Sequence, residues 1–179
     1  MIIVGVIYIK SSNILHIVDE IYSPNKNIKL VVYVNKDDDK EDSVDIKIYD
    51  NAGISHSSIS FLGQYGGIFW ANDSSKYVIK VKDYISNIYV VDGISGEIIG
   101  VDFNLDYALK TKINDDSNKF NFVIDEKLNA DYEFIKWEND NETMLIYYEI
   151  DDLDKNVHSG YLLYDYKNDK IYGMLSSTE

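Results

Sequence analysis

Two stretches of this 179-residue chain open alike. WANDSSKYVIKV begins at Trp70 and WENDNETMLIYY at Trp137, and they hold the only two tryptophans present. Each runs Trp, one residue, Asn-Asp, then a short polar step into an apolar run. An internal repeat limits a chain to folds built by stacking one supersecondary unit, so it constrains the architecture before any other feature does. A third copy, YSPNKNIKLVVYV from Tyr22, places Ser-Pro-Asn where the others have Trp-x-Asn-Asp. Pro24, the single proline, suits the corner of such a turn.

The runs after each opening alternate as half-buried strands do. Ile28, Leu30, Val32 and Val34 share one face in the first copy. Tyr77, Ile79 and Val81 do so in the second, opposite Lys76, Lys80 and Lys82. Met144, Ile146, Tyr148 and Ile150 do so in the third. A polar loop follows, then a second alternating strand ending in Asp: DIKIYD to Asp50, NIYVVD to Asp92, YLLYD to Asp165. Each Asp opens a turn (DNAG, DGISGE, DYKNDK) in which its carboxylate accepts backbone N–H groups while a nearby Gly or Asn supplies positive φ. A further strand comes next, most plainly EIIGVDF and KIYGML. The expected unit is a three-stranded antiparallel meander, written at about residues 22–61, 70–103 and 137–175, inside one all-β domain spanning 1–179. The spacing from Pro24 to Ala71 is 47 residues and from Ala71 to Glu138 is 67, so an insertion falls at 104–131. Within it LDYALKTKI predicts a short helix, KFNFVID a strand, and Asp115-Asp116-Ser117-Asn118 a turn between them. GQYGG at 63–67 reads as a flexible link between the first two units.

The Trp-x-x-Asp opening and the Asp-x-x-Ser-Gly-Glu turn resemble β-propeller blade repeats, nearest to those of Tol-associated periplasmic propellers and the propeller domains of prolyl oligopeptidases. The chain resembles more loosely short bacterial proteins that carry an N-terminal anchor ahead of such a module. The resemblance implies a structural unit and transfers no active-site residue. A propeller closes with four or more blades of about 40–45 residues each, and three units are present here. The expected arrangement is therefore open or incomplete, with a small closed propeller or a β-sandwich as the alternative. In either, Trp70 and Trp137 are structural, packing the joints between neighbouring sheets.

Composition narrows the function classes. Lysine supplies all 17 basic residues, against 31 carboxylates, for a formal charge of −14. Without arginine there is no bidentate clamp for phosphate and no guanidinium to stack on bases. An acidic surface of this kind repels nucleic acid, leaving a basic protein partner or a cation as what it attracts. The absence of cysteine excludes disulfides, thiol catalysis and zinc–thiolate sites. The N-terminal run Met1–Ile9, ended by Lys10, is too short to span a bilayer. Residues 1–21 accordingly read as a first strand or as the tail of a membrane anchor, the latter implying an extracytoplasmic, membrane-associated protein and the alternative a cytoplasmic one.

Chemistry is harder to find. His16, His56 and His158 stand in no metal-binding spacing. The sequence His56-Ser57-Ser58 lacks any nucleophile elbow. Asp152, Asp154 and Asn156 follow the first three positions of a calcium loop, but Val157 stands where its glycine belongs and Leu163 where its bidentate Glu belongs. They are the only candidate metal ligands singled out, beside the charge run Asp37–Asp42. No catalytic residue and no cofactor is assigned. The expected function is a non-enzymatic protein-interaction module using its variable acidic loops at 35–44 and 151–159. The alternatives are an acidic inhibitor or immunity protein that neutralises a basic partner, and a carbohydrate-binding protein.

Overall fold

The three polar openings fold into one and the same loop. In the computed structural model, which describes residues 15–35, 42–82, 86–101, 103–116, 120, 122, 124 and 130–176, Ser23 N–H donates to the Ile28 carbonyl and Lys26 N–H to that of Ser23. Ala71 and Lys76 with Ser74, and Glu138 and Thr143 with Asn141, repeat both bonds at 2.8–3.0 Å. The fourth residue of each loop is left-handed: Lys26 at φ 60°, Ser74 at 64°, Asn141 at 55°. The side chain before it caps the loop. Asn25 Oδ1 accepts Asn27 N–H, Asp73 Oδ1 accepts Ser75 N–H, and Asp140 Oδ1 accepts Glu142 and Thr143 N–H. The register is thereby fixed: Ser23, and not Pro24, answers Ala71, and Tyr22 stands in the place of the tryptophans.

Each loop joins the first two strands of a four-stranded antiparallel sheet. Sheet 1 comprises β1 (Leu15–Tyr22), β2 (Ile28–Asn35), β3 (Ser43–Asp50) and β4 (Ser55–Leu62). Sheet 2 comprises β5 (Gln64–Trp70), β6 (Lys76–Lys82), β7 (Ser86–Asp92) and β8 (Ile98–Val101). A helix, α1 (Phe103–Asp115), leads to sheet 3, made of β9 (Ala130–Trp137), β10 (Thr143–Asp151), β11 (Val157–Asp165) and β12 (Lys170–Ser176). Strands are ordered as they occur in sequence. The unit is thus one strand longer than the three-stranded meander expected, because a strand precedes each polar turn. GQYGG is no link: Gln64–Gly67 lie inside β5, with a register shift between Tyr65 and Gly67. The insertion does contain the helix, which runs on through Asp115. Of the expected KFNFVID strand, Ile124 makes a single bridge to Asp152. Of the expected Asp115–Asn118 turn, Asp115 still belongs to the helix and Asp116 is a turn residue whose N–H donates to the Lys112 carbonyl; Ser117 and Asn118 lie outside the described residues, as do Met1–Ile14 and most of the Asp37–Asp42 run.

The sheets stack in chain order, each with a back face toward its predecessor and an onward face toward its successor. Leu30, Val32, Ile46 and Ile48 on the onward face of sheet 1 meet Tyr77, Ile79, Val81 and Val91 on the back face of sheet 2, all 0–1% exposed. Val78, Ile88 and Val90 on the onward face of sheet 2 meet Met144, Ile146 and Tyr148 of sheet 3, with Leu105, Leu109 and Ile113 of α1 in the same core. Sheet 2 is therefore covered on both sides, and along its lysine row burial falls off from Lys76 through Lys80 to the exposed Lys82. Lys76 itself is 7% exposed, its ammonium 5.5 Å from the Trp137 ring centroid and 5.7 Å from that of Tyr166. Such a cation–π contact keeps the charge where water is scarce. The molecule is an open, propeller-like stack of three sheets, with no sheet closed on itself.

Candidate interaction surface

In a four-stranded meander the first and third turns fall at one end of the sheet, so all three polar openings and all three Asp turns share an edge of the molecule. Its carboxylates are fixed by their own backbone. Asp50 Oδ1 accepts Ala52 and Ile54 N–H, Asp92 Oδ1 accepts Ile94 and Ser95 N–H, and Asp165 Oδ1 accepts Lys167 and Asn168 N–H, at 2.8–3.1 Å. Left-handed residues close these turns: Gly53 (φ 80°), Gly96 (73°) and Asp169 (52°). The Ile54 amide holds the Asp50 carboxyl below its ordinary range, as the Thr143 and Glu142 amides do for Asp140. Partial burial pushes Asp92 and Asp165 upward, and their turn bonds more than offset it. Donated hydrogen bonds favour the charged form, so this edge presents ionised, oriented carboxylates.

Neighbouring loops on that edge are tied to each other. Asn25 N–H donates to Ser74 Oγ at 3.1 Å, and Asn72 N–H to Asn141 Oδ1 at 2.9 Å. Between sheets 1 and 2 lies an open polar hollow bordered by Asn25, Asn27, Asp50, Asn51, His56 and Asp73. His56 Nε2 lies 3.1 Å from Asp50 Oδ2. The adjacent serines Ser57 and Ser58 sit on β4, and Ser57 Oγ donates to the Ile94 carbonyl of sheet 2 at 3.4 Å. A second broad hollow, on the back face of sheet 1, is bordered by Tyr22, Tyr33, Tyr49, Lys29 and Glu20 and floored by Val31. Its rings offer flat apolar area to a planar or sugar-like ligand.

The tryptophans stand at joints. Trp137 Nε1 donates to the Phe69 carbonyl of sheet 2 at 3.1 Å, and its ring meets Phe134 and Tyr166. Trp70 packs between sheets 1 and 2 against Tyr77, 5.1 Å between centroids. Both lie on back faces. Tyr22, their counterpart, lies on a back face that no sheet among the described residues covers and is 55% exposed.

The opposite edge carries the β10–β11 turn with Asp152, Asp154 and Asn156. Asp152 Oδ1 accepts Asp154 N–H at 2.8 Å and Asn156 N–H at 2.9 Å, while Oδ2 accepts Asn156 Nδ2 at 3.0 Å and lies 2.8 Å from His158 Nε2. His158, foremost, holds the carboxyl far below its usual range. The three residues build a turn rather than converge on a cation, and among the described residues no three His, Asp or Glu side chains gather in a metal-holding group. The turn repeats the β3–β4 turn of sheet 1 down to a histidine six residues after the Asp and a left-handed fourth residue, Lys155 (φ 66°). The spacing Asp-x5-His is legible in the sequence at both turns, Asp50 to His56 and Asp152 to His158. His158 stacks on Phe122 at 3.8 Å, which pins the insertion to this end of sheet 3. The expected loop at 151–159 is thus ordered by internal bonds. The partner loop at 35–44 lies largely outside the described residues.

Charge is concentrated along the stack. Residues 130–176 hold eleven carboxylates and four lysines, net −7 and half of the −14 total, whereas residues 64–101 hold four carboxylates and three lysines. Among the described residues no helix is long and apolar enough to cross a membrane.

The sequence matches no family model. It matches no curated protein either. Among solved structures it is similar to the acylaminoacyl peptidase of Pyrococcus horikoshii, with a TM-score of 0.54 at 10% identity over 93% of this chain. It is also similar to the β-propeller domain of the Trilobed protease from Pyrococcus furiosus, an open velcro propeller, with a TM-score of 0.51 at 12% identity over 92% of this chain. This chain spans 26% of the first structure and 43% of the second. At such identities the likeness is one of fold.

Proposed function

We propose that the chain is a non-enzymatic protein-interaction module that docks a basic segment of a partner protein on the acidic edge of sheet 3. The observation that carries this reading is the excess of carboxylates in residues 130–176, of which Glu138, Asp140, Glu142, Asp165 and Asp169 stand at the turn edge, with Asp140 and Asp165 ionised and oriented by turn amides. Preformed charge at fixed positions steers an oppositely charged partner and loses little entropy on binding. The test compares the intact chain with Glu138→Gln/Glu142→Gln as immobilised bait for lysate proteins, at low salt and at about 0.5 M, where screening cuts surface attraction to a few ångströms. A basic protein held by the intact chain, released by salt and depleted on the variant, is the expected result. Identical, salt-resistant captures on both would overturn the reading.

The same concentration of charge favours a second reading, an acidic inhibitor of one basic protein. That reading requires a stoichiometric complex whose association rate falls steeply with ionic strength. A set of several sub-stoichiometric partners would remove it.

A further inference from the structure

The two ends of the stack are not alike, and the register says what each end fits. Because Ser23, Ala71 and Glu138 are equivalent, Leu30, Val78 and Leu145 occupy one position, as do Val32, Lys80 and Tyr147. The first two members of each set line onward faces that cover the next sheet. In sheet 3 the same positions, with their cross-strand neighbours Leu163 and Tyr161 on β11 and Leu175 on β12, face no sheet among the described residues. Tyr161 is 39% and Leu175 69% exposed, and the Tyr147 and Tyr161 rings lie 5.4 Å apart. At the other end, Lys29, Val31 and Tyr33 hold the positions of Tyr77, Ile79 and Val81, which are the back-face residues that seat sheet 2 on sheet 1. That free face also carries Ile17 and Tyr22, 56% and 55% exposed, with Tyr49 and Lys47.

We infer that the uncovered onward face of sheet 3 receives the uncovered back face of sheet 1 from a second copy of this chain, joining copies head to tail. The contact continues the two sheet-to-sheet joints already present within the chain, with the same strand positions on each side. Charge disfavours joining two copies through their sheet 3 faces. The onward face of sheet 3 carries Asp131, Glu133 and Glu149 with Lys136, and the cross-strand pair Asp165 and Lys170 at its turn end, whereas the back face of sheet 1 carries Lys29 and Lys47 balanced by Glu20 and Asp45. Two sheet 3 faces brought together would oppose carboxylates across an apolar centre, which costs several kcal/mol. A heterologous contact of this kind generates a ring if the rotation closes and a filament if it does not. The inference stands apart from docking of a basic partner, which uses the turn edge and not the sheet faces.

The experiment measures mass in solution for the chain and two variants, at physiological ionic strength and up to about 100 μM, where surface charges are screened beyond about 8 Å. Tyr161→Glu/Leu175→Glu spoils only the onward face of sheet 3, and Ile17→Glu/Tyr22→Glu only the back face of sheet 1. All four positions are exposed, and circular dichroism verifies that each variant is folded. The intact chain is expected to rise with concentration above the 20.6 kDa of one copy, and each variant alone to stay at one copy. Mixed in equal amounts, the two variants are expected to form a dimer and nothing larger, since each supplies the face the other lacks. An intact chain that stays monomeric overturns the inference. So does association by either variant alone, which signals a like-with-like contact, or a mixture that stays monomeric.

Discussion

At the residue scale the joints set the tightest demands. Tyr77 is 0% exposed, and its hydroxyl, like the nearby Trp70 Nε1, is buried without a hydrogen-bond partner among the described residues. Burial pushes the phenol far above its usual range, so it never ionises to advantage. Removing an unsatisfied donor relieves a desolvation cost of about 1–3 kcal/mol, part of which returns as lost contact. Tyr77→Phe is therefore expected to leave the urea midpoint unchanged or raise stability by about 1 kcal/mol, while Tyr77→Ala loses about 3–5 kcal/mol to a cavity. A loss of stability in the Phe variant would show that the hydroxyl has a partner after all. Gly93 answers a different demand. A Cβ there would lie 2.8 Å from Trp70 Cζ3 and 3.0 Å from the Ser75 carbonyl, whose oxygen accepts the Gly93 N–H at 2.8 Å. Neither the ring nor the bonded loop can retreat freely, so Gly93→Ala is expected to cost about 1–3 kcal/mol by overpacking, read from the same denaturation curve.

At the scale of elements, the polar opening is where sequence and structure agree most closely. An Asx-capped loop with a left-handed fourth residue accepts few residue types, so it recurs in recognisable form; the Asp turns are legible for the same reason. No such constraint marks β5 and β9, the strands before the second and third openings, whereas β1 falls largely within the 1–21 stretch that reads as a first strand or an anchor tail. β5 even looks like a linker, since Gly66 and Gly67 are there to let the bulged strand lie against Lys80, whose Cγ and carbonyl would be 3.0 and 3.1 Å from a Cβ on Gly66. The candidate surface was less legible than the fold. Charge along the chain is readable, but which face each alternating strand covers depends on loop register, and matching Ser23-Pro24-Asn25 to the tryptophan openings puts the first copy one residue away from the register its loop adopts. The loops also differ in what their fourth residue does. Asn141 tolerates φ 55° and its Oδ1 accepts Asn72 N–H from the neighbouring sheet; Lys26 at φ 60° takes the strain with a side chain that has no special ease there. Asn141→Lys should thus cost about 1–2 kcal/mol, from strain plus a lost inter-sheet bond. Lys26→Asn should stabilise by a few tenths up to about 1 kcal/mol. Equal and opposite shifts in thermal midpoint would mean the inter-sheet bond contributes nothing.

For the whole molecule, two electrostatic effects oppose each other as pH falls. Self-repulsion of a chain at −14 weakens toward its isoelectric point near 4.5, which favours the compact stack. Against this, Asp50, Asp73, Asp92, Asp140, Asp152 and Asp165 all have folded pKa values below the ordinary 3.8. A carboxyl whose folded pKa is depressed adds stability that is complete above its unfolded pKa and is lost as pH falls through the folded value. Asp106 runs the other way: burial raises its pKa despite the bond from Tyr132 at 2.7 Å, so its charge costs stability at neutral pH and that cost vanishes on protonation. One group of this kind is outnumbered by six turn carboxylates. The urea midpoint is therefore expected to hold level or rise gently from pH 7 to about 5 and then to fall steadily below about pH 4, as the turns protonate and the edges of the sheets come undone. Asp140→Asn/Asp165→Asn keeps acceptor oxygens but removes the charges, so it should lower the midpoint at pH 7 and flatten the acid limb. A midpoint that keeps rising down to pH 3 would mean that self-repulsion, and not the turns, governs the stability of the stack.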